Sequence, residues 1–310
     1  MDPVSVIRVT KDSFPELLRF REALGSHRHD ELLKGLDVGD MFFWLALDGE
    51  GQPCAYSAVM LWQNRPELLS VTLRLEEGRS AEVREAAVTA LCRAAVTAKS
   101  SEVPLLRGVT SAIADQIPAA SLPAMAADGW TPFQEIVSYR KDDVVVPTAA
   151  TRAAAAAAPG VTVRPFAPSD LAAVLEVEHT AFDPIWWVDA AGFMAPFGPD
   201  EEFAVLTARD GPASGGRVVG YNISRWSPPG GFVLKLGVHR DHQGRGYGRF
   251  LLAHTLETLH RAGCAHVELT TQFDNRTARG LYESFGFTAT SRHWLVKRTV
   301  APNNHGEVRP

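Results

Sequence analysis

Cysteine is scarce in this chain, and the few present stand far apart. The three cysteines, Cys54, Cys92 and Cys264, are odd in number and form no C-x-x-C spacing, so neither a disulfide framework nor a zinc site is expected. Long apolar runs are lacking as well. No stretch approaches the ~18 residues of a membrane-spanning helix, and the start, Met1-Asp2-Pro3-Val4, has no basic segment followed by an apolar one of the kind that directs export. The cytoplasm is the expected location. An excess of positive charge is also missing: 31 Lys and Arg against 36 Asp and Glu leave a net charge of −5, which offers no general attraction to phosphate backbones or anionic lipid. Neither nucleic acid nor a membrane is an expected partner. With 45% hydrophobic and 22% charged residues, the chain lies well away from compositions that stay disordered.

What is present is a duplication. At 310 residues the chain is about twice the ~150 residues of a usual domain, and a seam lies at its midpoint. Val144-Val145-Val146-Pro147 leads through Thr151-Arg152 into an alanine run, Ala153 to Ala158, and then Pro159-Gly160. A run without an apolar period, bounded by Pro and Gly, reads as a linker over 146–160, although alanines also form short helices. On either side the halves match in order. Val6-Ile7-Arg8-Val9 parallels Val161-Thr162-Val163-Arg164, with Arg8 and Arg164 separated by 156 positions. Ser13 and Ser169, at the same offset, open helical patterns carrying Leu17, Leu18 and Phe20 in one half and Leu171, Val174 and Leu175 in the other. Phe43 to Gly49 parallels Phe203 to Leu206 and its Asp210-Gly211 turn. The returning strands, Ala55 to Trp62 and Gly220 to Trp226, correspond too, and Gly129-Trp130 aligns with Gly286-Phe287 at an offset of 157.

Each half therefore reads as strand, one or two helices, three strands, helix, strand, helix, strand: an α/β (α+β) chain of two tandem domains, 1–145 and 161–310. In the second half the fourth strand is Phe232 to His239, and the helix after it carries Leu252, Leu256 and Leu259 on one face. His266 to Thr271 is the fifth strand, Arg276 to Ser284 a helix ended by Gly286, and His293 to Arg298 the closing strand. From Ala301 a frayed tail is expected.

The chemistry concentrates in Val238-His239-Arg240-Asp241-His242-Gln243-Gly244-Arg245-Gly246-Tyr247-Gly248-Arg249, which leaves a strand and opens a helix. Unpaired amides at a helix N-terminus favour an anion such as a pyrophosphate; glycines let it approach, and Arg245 and Arg249 add charge. The same residues also suit a plain strand-to-helix turn. A P-loop would need Gly-Lys-Ser/Thr, which is absent. A dinucleotide fingerprint needs G-x-G-x-x-G, whereas Gly244, Gly246 and Gly248 give G-x-G-x-G; Glu268 stands where a ribose carboxylate would, but too few strands follow.

Gln243-Gly244-Arg245-Gly246-Tyr247-Gly248 resembles the Q/R-x-x-G-x-G/A motif of the GCN5-related N-acetyltransferases. Leu236-Gly237-Val238 is similar to that family's fourth strand, and Asn275-Arg276-Thr277-Ala278-Arg279-Gly280-Leu281-Tyr282-Glu283-Ser284-Phe285-Gly286-Phe287 resembles its N-x-x-A-x-x-L-Y-x-x-x-G-F segment. The likeness covers Val161 to about Thr299 well and the first half in outline, and the tandem layout is similar to that of the mycothiol synthases. The resemblance implies two acetyltransferase-like domains, each a mixed, mostly antiparallel twisted sheet flanked by helices, and acetyl-CoA as acyl donor, without a metal. It implies that the loop amides from Gln243 to Arg249 hold the pyrophosphate, that the backbone of Leu236, Gly237 and Val238 pairs with the pantetheine and orients the thioester carbonyl, that Asn275 contacts the pantetheine arm, and that Tyr282 protonates the departing thiolate as an amine attacks directly. Tyr282 also reads as a packing aromatic, and Asn275 as a helix cap.

A base is harder to assign. An attacking lysine starts near a pKa of ~10.4 and must lose its proton. Relatives that modify protein N-termini carry a Glu where this chain has Thr270; Glu268 and His239 are the candidates that remain, and both also read as strand-edge surface residues. For the acceptor, Glu178, Asp183, Trp186 and Trp187, with Glu176, His179 and Phe182 nearby, offer carboxylates and aromatic faces to a cationic amine, or equally cover a core edge. The first half has lost this chemistry: Glu76-Glu77-Gly78-Arg79-Ser80 stands where the phosphate would sit, and Met125 falls opposite Tyr282. The expectation is an N-acetyltransferase with one site, in the second half, acting on a small amine or amino sugar. The rivals are a coenzyme-A-binding regulatory or scaffold protein without turnover, and a protein N-acetyltransferase.

Overall fold

The computed structural model describes residues 3–17, 41–98, 108–144, 161–195, 198–208 and 216–300. The expected linker over 146–160, the Asp210-Gly211 turn, the tail from Ala301, and Leu18 and Phe20 lie outside them. By contacts the chain divides into Met1–Ile136 with the segment from Arg292, here unit 1, and Val137–Ser291, unit 2. Both breaks fall inside strands, so the division does not follow the compositional seam. Unit 1 takes the end of the last strand of the sequence, and unit 2 takes residues 137–142 from the first half.

In unit 1 the strands run β1 (Val4–Arg8), β2 (Phe42–Asp48), β3 (Pro53–Leu61), β4 (Leu68–Leu75), β5 (Ser111–Ile117), with the second part of β12 (Thr288–Thr299) beside β5. All neighbours are antiparallel except β4 and β5, which pair in parallel from Leu68↔Ser111 to Thr72↔Asp115. A parallel pair needs a crossover, and α2 (Ala81–Thr97) supplies it, capped where the Ser80 hydroxyl accepts from the Val83 amide at 3.3 Å. Because side chains alternate along a strand, β2 sends Phe42 and Ala46 into the cluster under α2, with Leu91, Cys92 and Val71, while Phe43 and Leu45 pack with Phe14 and Leu17 of α1 (Phe14–Leu17) on the other face. A short α3 (Leu122–Ala127) precedes β6 (Thr131–Asp142), whose residues up to Ile136 belong here.

Unit 2 has the order β6, β11 (His266–Gln272), β10 (Gly230–Val238), β9 (Arg217–Ser227), β8 (Glu201–Ala208), β7 (Val161–Pro165). Helix α4 (Leu171–Ala181), with α5 (Ala190–Met194), packs on one face through Val174, Val177 and Phe193 against Phe203, Val205 and Tyr221. The other face takes α6 (Tyr247–Arg261) and α7 (Arg276–Ser284); Leu252, Leu256 and Leu259 are buried there with Val233, Val267 and Leu269, as their spacing implies. β10 is antiparallel to β9 with a bulge between Val233 and Lys235, and parallel to β11 only from Gly230↔His266 to Phe232↔Glu268 among the described residues. A bulge bends its strand, and beyond it the two parallel neighbours part. The edge of β10 from Lys235 to Val238 is thereby left free of β11.

Candidate active site

That parting opens a cavity of about 530 Å³ inside unit 2. Leu236, Gly237 and Val238 form one wall, Gln243, Gly244, Gly246, Tyr247, Gly248 and Arg249 the turn at its end, and Asn275 and Tyr282 the opposite wall. The turn is shaped by conformation rather than crowding. Gly244 and Gly246 have φ of 75° and 83°, in the left-handed region where a Cβ is strained, although a Cβ at either would meet nothing within 4 Å. Gln243 Nε2 donates to Val238 O at 3.0 Å and pins the turn to the strand. As a result the amides of Gly244 through Arg249 have no acceptor among the described residues. Successive free N–H groups at the positive end of a 15-residue helix make an anion site.

The α7 wall is held from both ends. Asn275 Oδ1 accepts from the Ala278 amide at 3.0 Å, so the capping role read from the sequence is present in a residue that also lines the cavity. Tyr282 is buried among Tyr139, Phe287 and Leu269, and burial pushes its phenol up to about 12. A phenol so shifted stays protonated at neutral pH. Its hydroxyl has no hydrogen-bond partner among the described residues, which leaves it as a donor toward the cavity it lines.

Other residues singled out from the sequence lie elsewhere. Glu178 is fully buried and satisfied: its Oε1 accepts from the Val188 amide at 2.7 Å and from Lys235 Nζ at 2.5 Å, and its Oε2 from the Tyr221 hydroxyl. Lys235 also donates to Trp186 O at 2.7 Å and lies 4.5 Å from the centre of the Phe182 ring. Desolvation lowers the pKa of this lysine, and the adjoining carboxylate opposes the shift. The expectation that Glu178 meets an acceptor is thus corrected: the carboxylate holds the turn after α4. Trp187 donates from Nε1 to Phe182 O at 2.8 Å and packs on His179, with ring centres 4.3 Å apart. Neither tryptophan lines the cavity, nor does the exposed Asp183; Ala181 and Phe182 do.

Neither base candidate reaches the cavity lining. Glu268 is taken by Arg140 at 2.9 Å, beside Phe232 where β10 and β11 are still paired. His239 is buried; its Nδ1 accepts from the Asp241 amide at 3.2 Å, which puts the proton on Nε2, 3.6 Å from Glu176. Arg245 is exposed and folds back on Asp241 O at 3.2 Å. Phe182, named beside the acceptor candidates, does line the cavity; sequence reasoning missed His242 and Leu281 among the lining residues, and it missed Tyr139 behind Tyr282.

Unit 1 has the corresponding elements with a different arrangement among the described residues. Its parallel pair stays joined through Thr72↔Asp115, two residue pairs further than the ladder between β10 and β11. Arg79, in the corresponding turn, is consumed by Glu76 and Asp48, each at 2.5 Å, and by Pro53 O at 3.2 Å. Met125 is buried in the core.

Residues 172–287 match the model described as Acetyltransferase (GNAT) family. Over 185 residues the chain is 32% identical to the mycothiol acetyltransferase of Tsukamurella paurometabola, covering 53% of this chain and 59% of that protein. The chain thus spans less than two thirds of that curated relative's length. Among solved structures, a GCN5-related N-acetyltransferase from Sphaerobacter thermophilus is similar with a TM-score of 0.63 at 21% identity, over 97% of both chains. A tandem GNAT protein from the clavulanic acid biosynthesis pathway is similar with a TM-score of 0.58 at 15% identity, over 96% of this chain and 99% of that one. At these identities the structural likeness is one of fold. No helix among the described residues is long and apolar enough to cross a membrane.

Proposed function

We propose that unit 2, whose residues 172–287 match the acetyltransferase (GNAT) family model, belongs to that family and transfers an acetyl group from acetyl-CoA to an amine, and that unit 1 carries no second cofactor site. The observation that carries this reading is the row of free amides from Gly244 to Arg249 lining a cavity that a free strand edge also lines. The amides and the α6 N-terminus suit the pyrophosphate. The free edge at Leu236 to Val238 offers N–H and C=O groups to an extended, amide-bearing arm. Bound acetyl-CoA supplies an activated thioester; Tyr282 gives its phenolic proton to the sulfur as the C–S bond breaks and the nitrogen of the free amine bonds to the acetyl carbon, the proton shed by that nitrogen passes to solvent, and solvent restores the phenol.

The acceptor class follows from proton bookkeeping. With Glu268 held by Arg140 and His239 engaged at Nδ1, the reaction favours amines that are partly deprotonated at the outset. At pH 7 an amine of pKa near 8 is roughly 10% free base, against roughly 0.04% for a lysine at ~10.4. This places a small amine or amino sugar ahead of a protein lysine. The mycothiol acetyltransferase likeness makes a thiol-bearing amino sugar one member of that class.

The test is calorimetric titration with acetyl-CoA, followed by thiol release against a panel of amines. Micromolar binding with turnover on at least one low-pKa amine is expected. Absence of binding refutes the reading. Binding without turnover on any amine favours a coenzyme-A-binding regulatory protein instead, for which the outlying positions of Glu268 and His239 already speak.

A further inference from the structure

We infer that Tyr139 is a positioning residue for Tyr282, supplied to the site by a strand from the first half of the chain. The inference rests on the reading above only for its purpose; the geometry stands by itself. Tyr139 lies on β6 within the part that belongs to unit 2. Its hydroxyl donates to Glu283 Oε1 at 2.7 Å and accepts from Arg279 Nε at 3.1 Å. Those two partners are one turn apart on α7, so a single phenol on the sheet grips the helix on both sides of Tyr282. Arg279 extends the grip: its Nη1 donates to Phe273 O at 2.9 Å, and its guanidinium lies 4.6 Å from the centre of the Phe273 ring, fixing the turn that delivers Asn275. The rings of Tyr139 and Tyr282 are 6.2 Å apart.

A proton donor must sit within hydrogen-bond reach of its acceptor, and small misplacement is costly. The Tyr282 hydroxyl has no hydrogen bond among the described residues to set its direction. Its placement therefore depends on packing and on where α7 lies, and Tyr139 contributes to both. The two tyrosines are 143 positions apart in the sequence.

Tyr139→Phe keeps the ring and removes the grip. Hydrogen exchange of the full-length protein, followed by mass spectrometry over Arg276–Ser284, is expected to speed up several-fold in this variant, with the α4 amides unchanged. In turnover with acetyl-CoA and the best amine of the panel, kcat should fall about five- to tenfold, as for one well-placed hydrogen bond, while KM for acetyl-CoA stays within about twofold. If Tyr139 acts through Tyr282, the Tyr139→Phe/Tyr282→Phe double variant is no slower than Tyr282→Phe alone. Unchanged exchange over α7 overturns the inference, as does an unchanged kcat or a double variant whose losses multiply. Should the wild type turn over no amine while α7 still loosens in Tyr139→Phe, the positioning geometry stands and the acetyl-transfer reading fails.

Discussion

Removing the charge of Glu178 while keeping its shape isolates the energetics of the buried pair it forms with Lys235. Glu178→Gln leaves Lys235 with an amide and the Trp186 carbonyl in place of a carboxylate, in a site where Glu178 is fully buried and the Lys235 side chain is 14% exposed. Breaking a buried pair by removing one charge costs about 3–5 kcal/mol; the amide retains neutral contacts to Val188 and Tyr221, which points to the lower end, about 3 kcal/mol. In a protein with units of this size that lowers the unfolding midpoint by roughly 6–12 °C. The pH dependence has a definite sign. Desolvation already lowers the pKa of Lys235, and only Glu178 opposes it, so the variant's lysine is depressed further. The folded variant then binds fewer protons than the unfolded chain between that depressed value and ~10.4, and its stability rises with pH across this window. Scanning calorimetry of wild type and variant at pH 7 and pH 9.5 should show a large deficit at the lower pH that shrinks at the higher. A deficit below about 2 °C, or one equal at both pH values, would refute the assignment of this pair as desolvated and coupled.

Gly246 and Gly78 make a matched pair, since φ is 83° and 84° and a Cβ would meet nothing within 4 Å at either. Alanine at each should cost a similar ~1–2 kcal/mol of backbone strain, but only Gly246→Ala should weaken acetyl-CoA binding, by tenfold or more on calorimetric titration; equal affinity in the two variants would contradict a single site in unit 2. Tyr282→Phe should keep acetyl-CoA affinity and lose roughly 10²–10⁴ in kcat, as stopped-flow thiol release would report. With the phenol raised from its usual 10 to about 12, its stabilising contribution is complete below pH 10 and is lost as pH rises toward 12. Urea titrations at pH 9 and pH 11 should therefore show the wild type losing ground to Tyr282→Phe at the higher value only.

Much of unit 2 was legible because local rules fix it. The leucine spacing of α6, the strand before it and the helix Arg276–Ser284 appear where period and caps place them. The glycines at 244 and 246 mark positive φ wherever the chain runs from strand to helix in this way. What was not legible is partnership across the sheet. Glu178 reads as an exposed helical acid until β9 and β10 bring Tyr221 and Lys235 against it. Glu268 reads as a free carboxylate until Arg140 arrives from β6.

The sequence by itself carried the tandem α/β layout, the turn whose Gly244 and Gly246 adopt positive φ, and the tyrosine, Tyr282, that lines the same cavity. These depend on residue identity and spacing along one strand-turn-helix, where each backbone conformation is set by its own few residues. Tertiary structure alone decided which strand completes which unit, that β10 and β11 part after Phe232 while β4 and β5 do not, and that Tyr139 stands behind Tyr282. Those outcomes depend on strands far apart in the chain competing for the same edges, and the burial gained there is shared among many residues, none of which carries the choice in its own neighbourhood.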